Sequence, residues 1–246
     1  MRTFRRFSYK DTNLRVACDL FEPLIDEVVN QRKMLEKYIR EHGAFRESLS
    51  PIAVLENAPD VVTRMAAAAQ QTGVGPMAAV AGTLAQMGVE RALYLGATES
   101  IVENGGDMYI AAASPVTIGI HSGDEKFGDA LAFRVPPSRV AICSSSSKMG
   151  HSLSFGKCSL ATVVSSNASL ADAAATLLGN IVQSADDLAS AVARVGAIDG
   201  VDGVMAIMDG QIGLKGSLPE IVRNADCATD GKITRDRHSL HWLIEN

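Results

Sequence analysis

The sequence predicts an α+β fold: one continuous domain, residues 1–246, of antiparallel sheet with helices packed against it. Two observations carry this. Short β-like runs are joined by glycine-bearing turns, Asn104-Gly105-Gly106 and Asp209-Gly210 among them, which favour tight hairpins. These runs interleave with helical segments along the whole chain, without internal repeat, linker or low-complexity segment. A chain of 246 residues has length enough for a substantial core.

In chain order, residues 7–18 read as a first edge strand ending in Val16-Ala17-Cys18. A long charged helix follows over about 23–41, where Leu24, Val28, Leu35 and Ile39 recur at helical spacing and Gly43 stops it. The next helix starts at Asp60, a candidate N-cap after Pro59, and runs to Gly73. Residues 73–88 (GVGPMAAVAGTLAQMG) describe a tight turn into a helix, with proline in its first turn. Backbone N–H groups at such a start hold anions, although tight packing through Ala78, Ala81 and Gly82 explains the small residues equally well. The stretch is neither a Walker A loop nor a GxGxxG loop. Strands are expected at 92–95 and around 100–102, then a hairpin turn at Glu103-Asn104-Gly105-Gly106-Asp107 leading into MYIAAA. The carboxylates flanking that turn are more than a turn requires. Strands at 116–120 and 131–135 are expected to continue the meander. After the central stretch, Ser184-Ala185-Asp186-Asp187 is a capping box for a helix ending at Gly196. Residues 204–208 and 211–214 then form a hairpin about Asp209-Gly210, and the rest is a polar tail.

Composition excludes several classes. Hydrophobic residues make up 47% and charged residues 21%, as in ordinary globular proteins. The net charge of −5 argues against nucleic-acid and anionic-membrane partners. No secretory signal is visible, because residues 7–17 hold no apolar stretch behind the early arginines, and no run reaches membrane-spanning length. A cytoplasmic location is expected. The four cysteines are scattered without a CxxC pair, which speaks against zinc or iron–sulfur sites. Alanine-rich surfaces leave homo-oligomerisation open.

The chemistry concentrates between residues 140 and 180. An apolar run ends in Ser144-Ser145-Ser146-Ser147, a Gly150-His151 turn follows, then a strand over 158–165. Asp172 and Thr176 sit four apart at the head of an alanine-rich helix and therefore share a face. A carboxylate and a hydroxyl on one spot suit a hard cation completed by carbonyls and water. The structural alternative is Asp172 near a helix cap and Thr176 bonding back to a carbonyl.

Taken together, VGPMAAVAG (74–82), VENGGD (102–107), SSSSKMGHSLSFGK (144–157) and LADAAATLLGN (170–180) resemble the ApbE-like superfamily of FAD:protein FMN transferases. The resemblance is closer to its cytoplasmic branch in archaea and anaerobic bacteria, and it covers nearly the whole chain, including EKYIREHGAFRESLSPI (36–52). It implies a T-fold-like antiparallel sheet with packed helices. It implies Mg2+ or another divalent cation held by Asp172 and Thr176, with carbonyls of Ala78 and Ala175. It implies a flavin or nucleotide ligand, FAD or FMN, in a cleft lined by Gly75, Pro76, Asn104, Gly105, Gly106, Asp107, Ser144, Ser145, Ser146 and Gly150. His151 is the candidate general acid/base.

The chain also departs from that pattern. Ala79 stands where the transferases carry a lysine, and the Asp-Pro following the family histidine is missing after His151. Three readings follow: a metal-dependent transferase; a protein of sulfide assimilation into homocysteine, associated with this branch, in which Cys143 or Cys158 would be an activated thiol; or a non-catalytic nucleotide-binding or assisting protein.

Overall fold

A computed structural model describes residues 2–146, 156–225 and 232–234. Its centre is an eight-stranded antiparallel sheet in the order β1-β2-β3-β4-β7-β8-β9-β10. The strands are β1 (Arg5–Tyr9), β2 (Thr12–Cys18), β3 (Ser100–Asn104), β4 (Asp107–Ala112), β7 (Ser138–Ser145), β8 (Leu160–Ser165), β9 (Val201–Met208) and β10 (Gln211–Gly216). A three-stranded sheet, β11-β6-β5, is made by β5 (Val116–Ile120), β6 (Leu131–Val135) and β11 (Glu220–Arg223). The helices are α1 (Phe21–Glu41), α2 (Ala44–Glu47), α3 (Asp60–Thr72), α4 (Val80–Tyr94), α5 (Ala168–Ile181) and α6 (Leu188–Val195).

Side chains alternate across a strand, and the central sheet uses both faces. Val102, Tyr109, Ala111, Ala141, Cys143, Ala161 and Val163 join the helices in one core. Ile101, Ile110, Ile142, Leu160 and Val164 meet Val116, Phe133 and Val135 of the small sheet in a second. Covered on both faces, β3 and β8 are buried at every position, polar residues included.

Four expectations need correction. Residues 7–18 are not one strand but the hairpin β1–β2, turning at Lys10, whose φ of 54° places a non-glycine residue in the left-handed region. The apolar run 92–95 is the end of α4, because Ala92 continues the buried face of Leu84, Ala85 and Gly88. β5 and β6 do not extend the meander. They leave the main sheet after Ser114-Pro115 and pair with each other, and β6 also pairs with β11, which the polar tail did not announce. Asp60 is the first residue of α3, and Pro59 occupies the cap position.

The helix boundaries otherwise follow their punctuation. Gly73, at φ 80°, ends α3 in the left-handed conformation, and Ser184 and Asp187 form the expected reciprocal capping box. At the crossing of α4 over α5 the backbones approach closely at Gly82. A Cβ on Gly82 would lie 2.4 Å from the Ala168 carbonyl oxygen and 3.0 Å from Asp172 Cβ. Gly82→Ala is therefore expected to cost about 1–3 kcal/mol through overpacking, read as a lower urea midpoint. Gly43→Ala, where a Cβ meets nothing within 4 Å, is the control and should not destabilise.

Candidate functional site

Asn167 caps α5, its side-chain oxygen accepting from the Leu170 N–H at 3.2 Å. That sets the register in which Asp172 and Thr176 come up on one face. Asp172 does not cap its own helix. Its Oδ2 accepts the Gly82 N–H at 2.8 Å, and the Ala81 amide also stabilises the charge, so Asp172 caps the start of α4 from across the helix crossing. Gly82 has no side chain to prevent this approach. Asn104 fastens the same corner, its Nδ2 donating to the Ala81 carbonyl at 3.1 Å.

Thr176 behaves unlike the two other buried helical threonines. Thr72 donates to the Ala68 carbonyl at 2.7 Å and Thr83 to the Ala79 carbonyl at 2.5 Å, each bonding back one turn. The Thr176 hydroxyl makes no hydrogen bond among the described residues, although Thr176 is only 7% exposed. Its oxygen, one turn beyond the Asp172 carboxylate, remains available.

Asp107 supplies a second carboxylate. It pairs with Asn104 across the β3–β4 hairpin, so the two share the helix-facing side of the sheet. Its Oδ1 accepts the Ser144 N–H at 3.2 Å. The Cys143 thiol donates to the Ala168 carbonyl at 3.7 Å, one turn before Asp172, and the Asp107 charge bears on it. Burial, and then the charge of Asp172, push the Asp107 carboxyl well above the usual range. Burial pushes Asp172 up to about 7, against the two amides that favour its ionised form. Neither carboxylate has an ion-pair partner among the described residues. Buried charges are ordinarily paired or bound to a metal. No three His, Cys, Asp or Glu side chains converge on one point among the described residues, so a cation here also has to draw on hydroxyl and carbonyl oxygen. The set is all oxygen, which fits a hard divalent ion.

The remaining predicted residues divide. The 3-10 turn of Pro76 to Ala79 packs on α5, bringing half-buried Ala78 to the helix that carries Asp172, and Ala175 is fully buried beside Thr176. Gly75 has a structural reason to be glycine, since a Cβ there would fall 1.9 Å from the Ser48 carbonyl oxygen. The serines face their own neighbours: Ser144 Oγ pairs with Thr162 Oγ1 at 2.9 Å, and Ser146 Oγ donates to the Ser159 carbonyl at 2.7 Å; Ser145 is half-buried at the end of β7. The hairpin amides are engaged too. The Gly105 N–H donates to Thr234 Oγ1 at 2.8 Å and the Gly106 N–H to Glu103 Oε1 at 2.9 Å, so neither amide points toward Asp172 in this conformation. Gly150 and His151 lie outside the described residues.

Both candidate thiols are the opposite of activated. Burial raises Cys158 to about 11 and pushes Cys143 well above the ordinary thiol range, so neither offers a thiolate near neutral pH. Two open cavities of about 370 and 330 Å3 lie away from the carboxylates, between α6 and β10 and beside Leu93, Thr98 and Arg139. The first is lined by Asp186 and Lys215 among mostly apolar residues and the second carries Arg139, and neither includes Asp107, Asp172 or Thr176. Sequence reasoning had treated Asp107 only as a ligand contact. Its pairing with Asp172, and the roles of Glu103 and Thr234, appear only in the fold, though the excess carboxylates at the 103–107 turn were the signal.

This architecture is that of the ApbE flavin transferases. It is similar to the apo flavinyl transferase ApbE of Pseudomonas stutzeri, with a TM-score of 0.60 and 14% identity over 88% of this chain and 95% of that one. It is similar also to the flavin transferase ApbE of Vibrio cholerae, with a TM-score of 0.59 and 12% identity over 94% and 99% of the two chains. A UPF0280 protein of Methanocella arvoryzae is 38% identical over 91% of this chain and 92% of its own length. One from Archaeoglobus fulgidus is 38% identical over 90% and 94%. The family model described as AbpE bacteria matches residues 4–207, and the chain belongs to that family.

The raised carboxylates set a pH dependence. Asp172 titrates at about 7 when folded against an ordinary 3.8, so its contribution is present below about pH 4 and is lost as pH rises through 7. Burial raises Asp107 and Glu103 as well, in the same direction. In metal-free buffer, stability should fall from pH 5 to pH 8. Asp172→Asn, which keeps an oxygen for the Gly82 amide, should match wild type near pH 5 and exceed it by about 1–3 kcal/mol at pH 8. Urea titrations at the two pH values check this, and a wild type equally stable at both would contradict it.

Proposed function

We propose that this protein is a metal-dependent ApbE-like protein that binds a flavin- or phosphate-bearing ligand and acts as a transferase of the FMN-transferase type, in the cytoplasm. The observation that carries the reading is the Asp172–Thr176 face, where a buried carboxylate with no ion pair among the described residues stands one turn from a threonine hydroxyl that makes no hydrogen bond among them, beside the carboxylate of Asp107.

Asp172 Oδ1, Thr176 Oγ1 and the carbonyls of Ala78 and Ala175 would hold Mg2+, with Asp107 adding negative charge alongside. When bound, the cation neutralises pyrophosphate oxygens and stabilises charge developing there. The chain's own residues do the positioning. The Gly82 and Ala81 amides hold the Asp172 carboxylate and orient its free oxygen. Asn104 ties the hairpin to the head of α4, and the Ser144 amide fixes Asp107. His151 is assigned the proton transfer on the strength of its residue type and its place in the motif. The FAD ligand is carried over from the family and stands as the substrate class to test.

A thiol-based sulfur reaction required a lowered pKa at Cys143 or Cys158, and both are raised, so those two residues do not support that reading. A binding-only role is favoured by one observation: the Gly105 and Gly106 amides are already engaged within the chain.

FAD fluorescence titrations with and without Mg2+, on wild type and Asp172→Ala, decide among these. Mg2+-dependent binding weakened at least about tenfold in the variant, with FMN and AMP appearing by chromatography, is the expected result. Binding without turnover would leave only the carrier reading, and indifference to FAD in wild type would remove the flavin from the account.

A further inference from the structure

Glu103 and Asn104 are consecutive residues of β3 and so point to opposite faces of the sheet. Asn104 faces α4, where its amide meets Ala81. Glu103 stands opposite Met108, which packs in the second core against the small sheet. Glu103 is 6% exposed, and burial raises its carboxyl above the usual range. A carboxylate in such a place requires hydrogen-bond donors, and among the described residues only one of them belongs to its own hairpin: the Gly106 N–H at 2.9 Å. The others come from Thr234, whose N–H donates to Glu103 Oε1 at 3.1 Å and to Oε2 at 3.3 Å, and whose hydroxyl donates to Oε1 at 3.0 Å. The same hydroxyl oxygen accepts the Gly105 N–H at 2.8 Å. Thr234 is itself 7% exposed and lies beyond residue 207, where the family match ends.

The β3–β4 turn is thus held from two sides. On the helix side it presents Asn104 and Asp107 to α4 and α5. On the reverse side Thr234 binds the Glu103 carboxylate and one of the two glycine amides. Gly105 and Gly106 adopt φ of 67° and 102°, and a glycine pair has little intrinsic stiffness, so the turn takes its rigidity from these contacts. We propose that Thr234 is a positioning residue of the cleft: it braces the Asn104–Asp107 turn from behind and so fixes the carboxylate that faces Asp172. This rests on the cleft reading above. It adds that the reaction site depends on a residue which touches neither cation nor ligand, on the opposite face of the sheet.

The test uses the full chain with Thr234→Val, which keeps the volume and removes the hydroxyl, and Thr234→Ser, which restores it. Amide exchange by NMR on the ligand-free protein reads the brace, and FAD titration in Mg2+ reads the cleft. Thr234→Val should speed exchange at Gly105 and Gly106 about five- to tenfold while the α5 amides keep their protection. It should weaken FAD binding about tenfold, and Thr234→Ser should recover both. Unchanged exchange at Gly105 in Thr234→Val overturns the brace. Faster exchange with unchanged FAD affinity overturns the positioning role. Wild type that binds no FAD removes the cleft reading and the positioning role with it, and the exchange data still show separately whether the brace exists.

Discussion

Everything near the candidate site depends on one hydrogen-bonded contact: the carboxylate of Asp172, on α5, capping the first amides of α4 across the helix crossing, with the Gly82 N–H at 2.8 Å. A helix start carries partial positive charge and unsatisfied N–H groups. That lets a carboxylate remain buried where water cannot solvate it. The contact exists because position 82 has no side chain, and Gly82 has no alternative that leaves both helices in place. α5 in turn lies across β7 and β8, so the central sheet, the helix layer and the carboxylate are one mechanical unit.

The second constraint is electrostatic. Asp107 and Asp172 are buried, close enough for the charge of one to raise the other, and without an ion pair among the described residues. A protein selected only for stability replaces such a pair with apolar side chains. Keeping both is costly to the fold, and the proposed cation site would supply the reason, the usual compromise between stability and function.

Much of this was legible in the sequence. Helical spacing put Asp172 and Thr176 on one face, and Asn104-Gly105-Gly106-Asp107 announced its hairpin. The capping box at Ser184 and the Gly73 stop were equally plain. What escaped was set by tertiary context. Nothing local distinguishes the turn of α4 at Ala92 from a four-residue strand. Nothing in a polar tail foretells that Glu220–Arg223 pairs with β6, or that Thr234 reaches back to Glu103 across 131 positions. The trans cap of Asp172 on Gly82 was missed for the same reason: the two residues stand 90 apart.

The central claim is that the Asp172–Thr176 face takes a divalent cation, and calorimetric titration of the metal-free protein with Mn2+ tests it most directly. Wild type, Asp172→Asn and Thr176→Val should be compared at pH 7.5 without any nucleotide or flavin. The account predicts one ion per chain in wild type, affinity reduced about ten- to a hundredfold in Thr176→Val, and no resolvable binding in Asp172→Asn. Equal affinity in all three proteins would contradict it, and would leave Asp172 as a helix cap and no more.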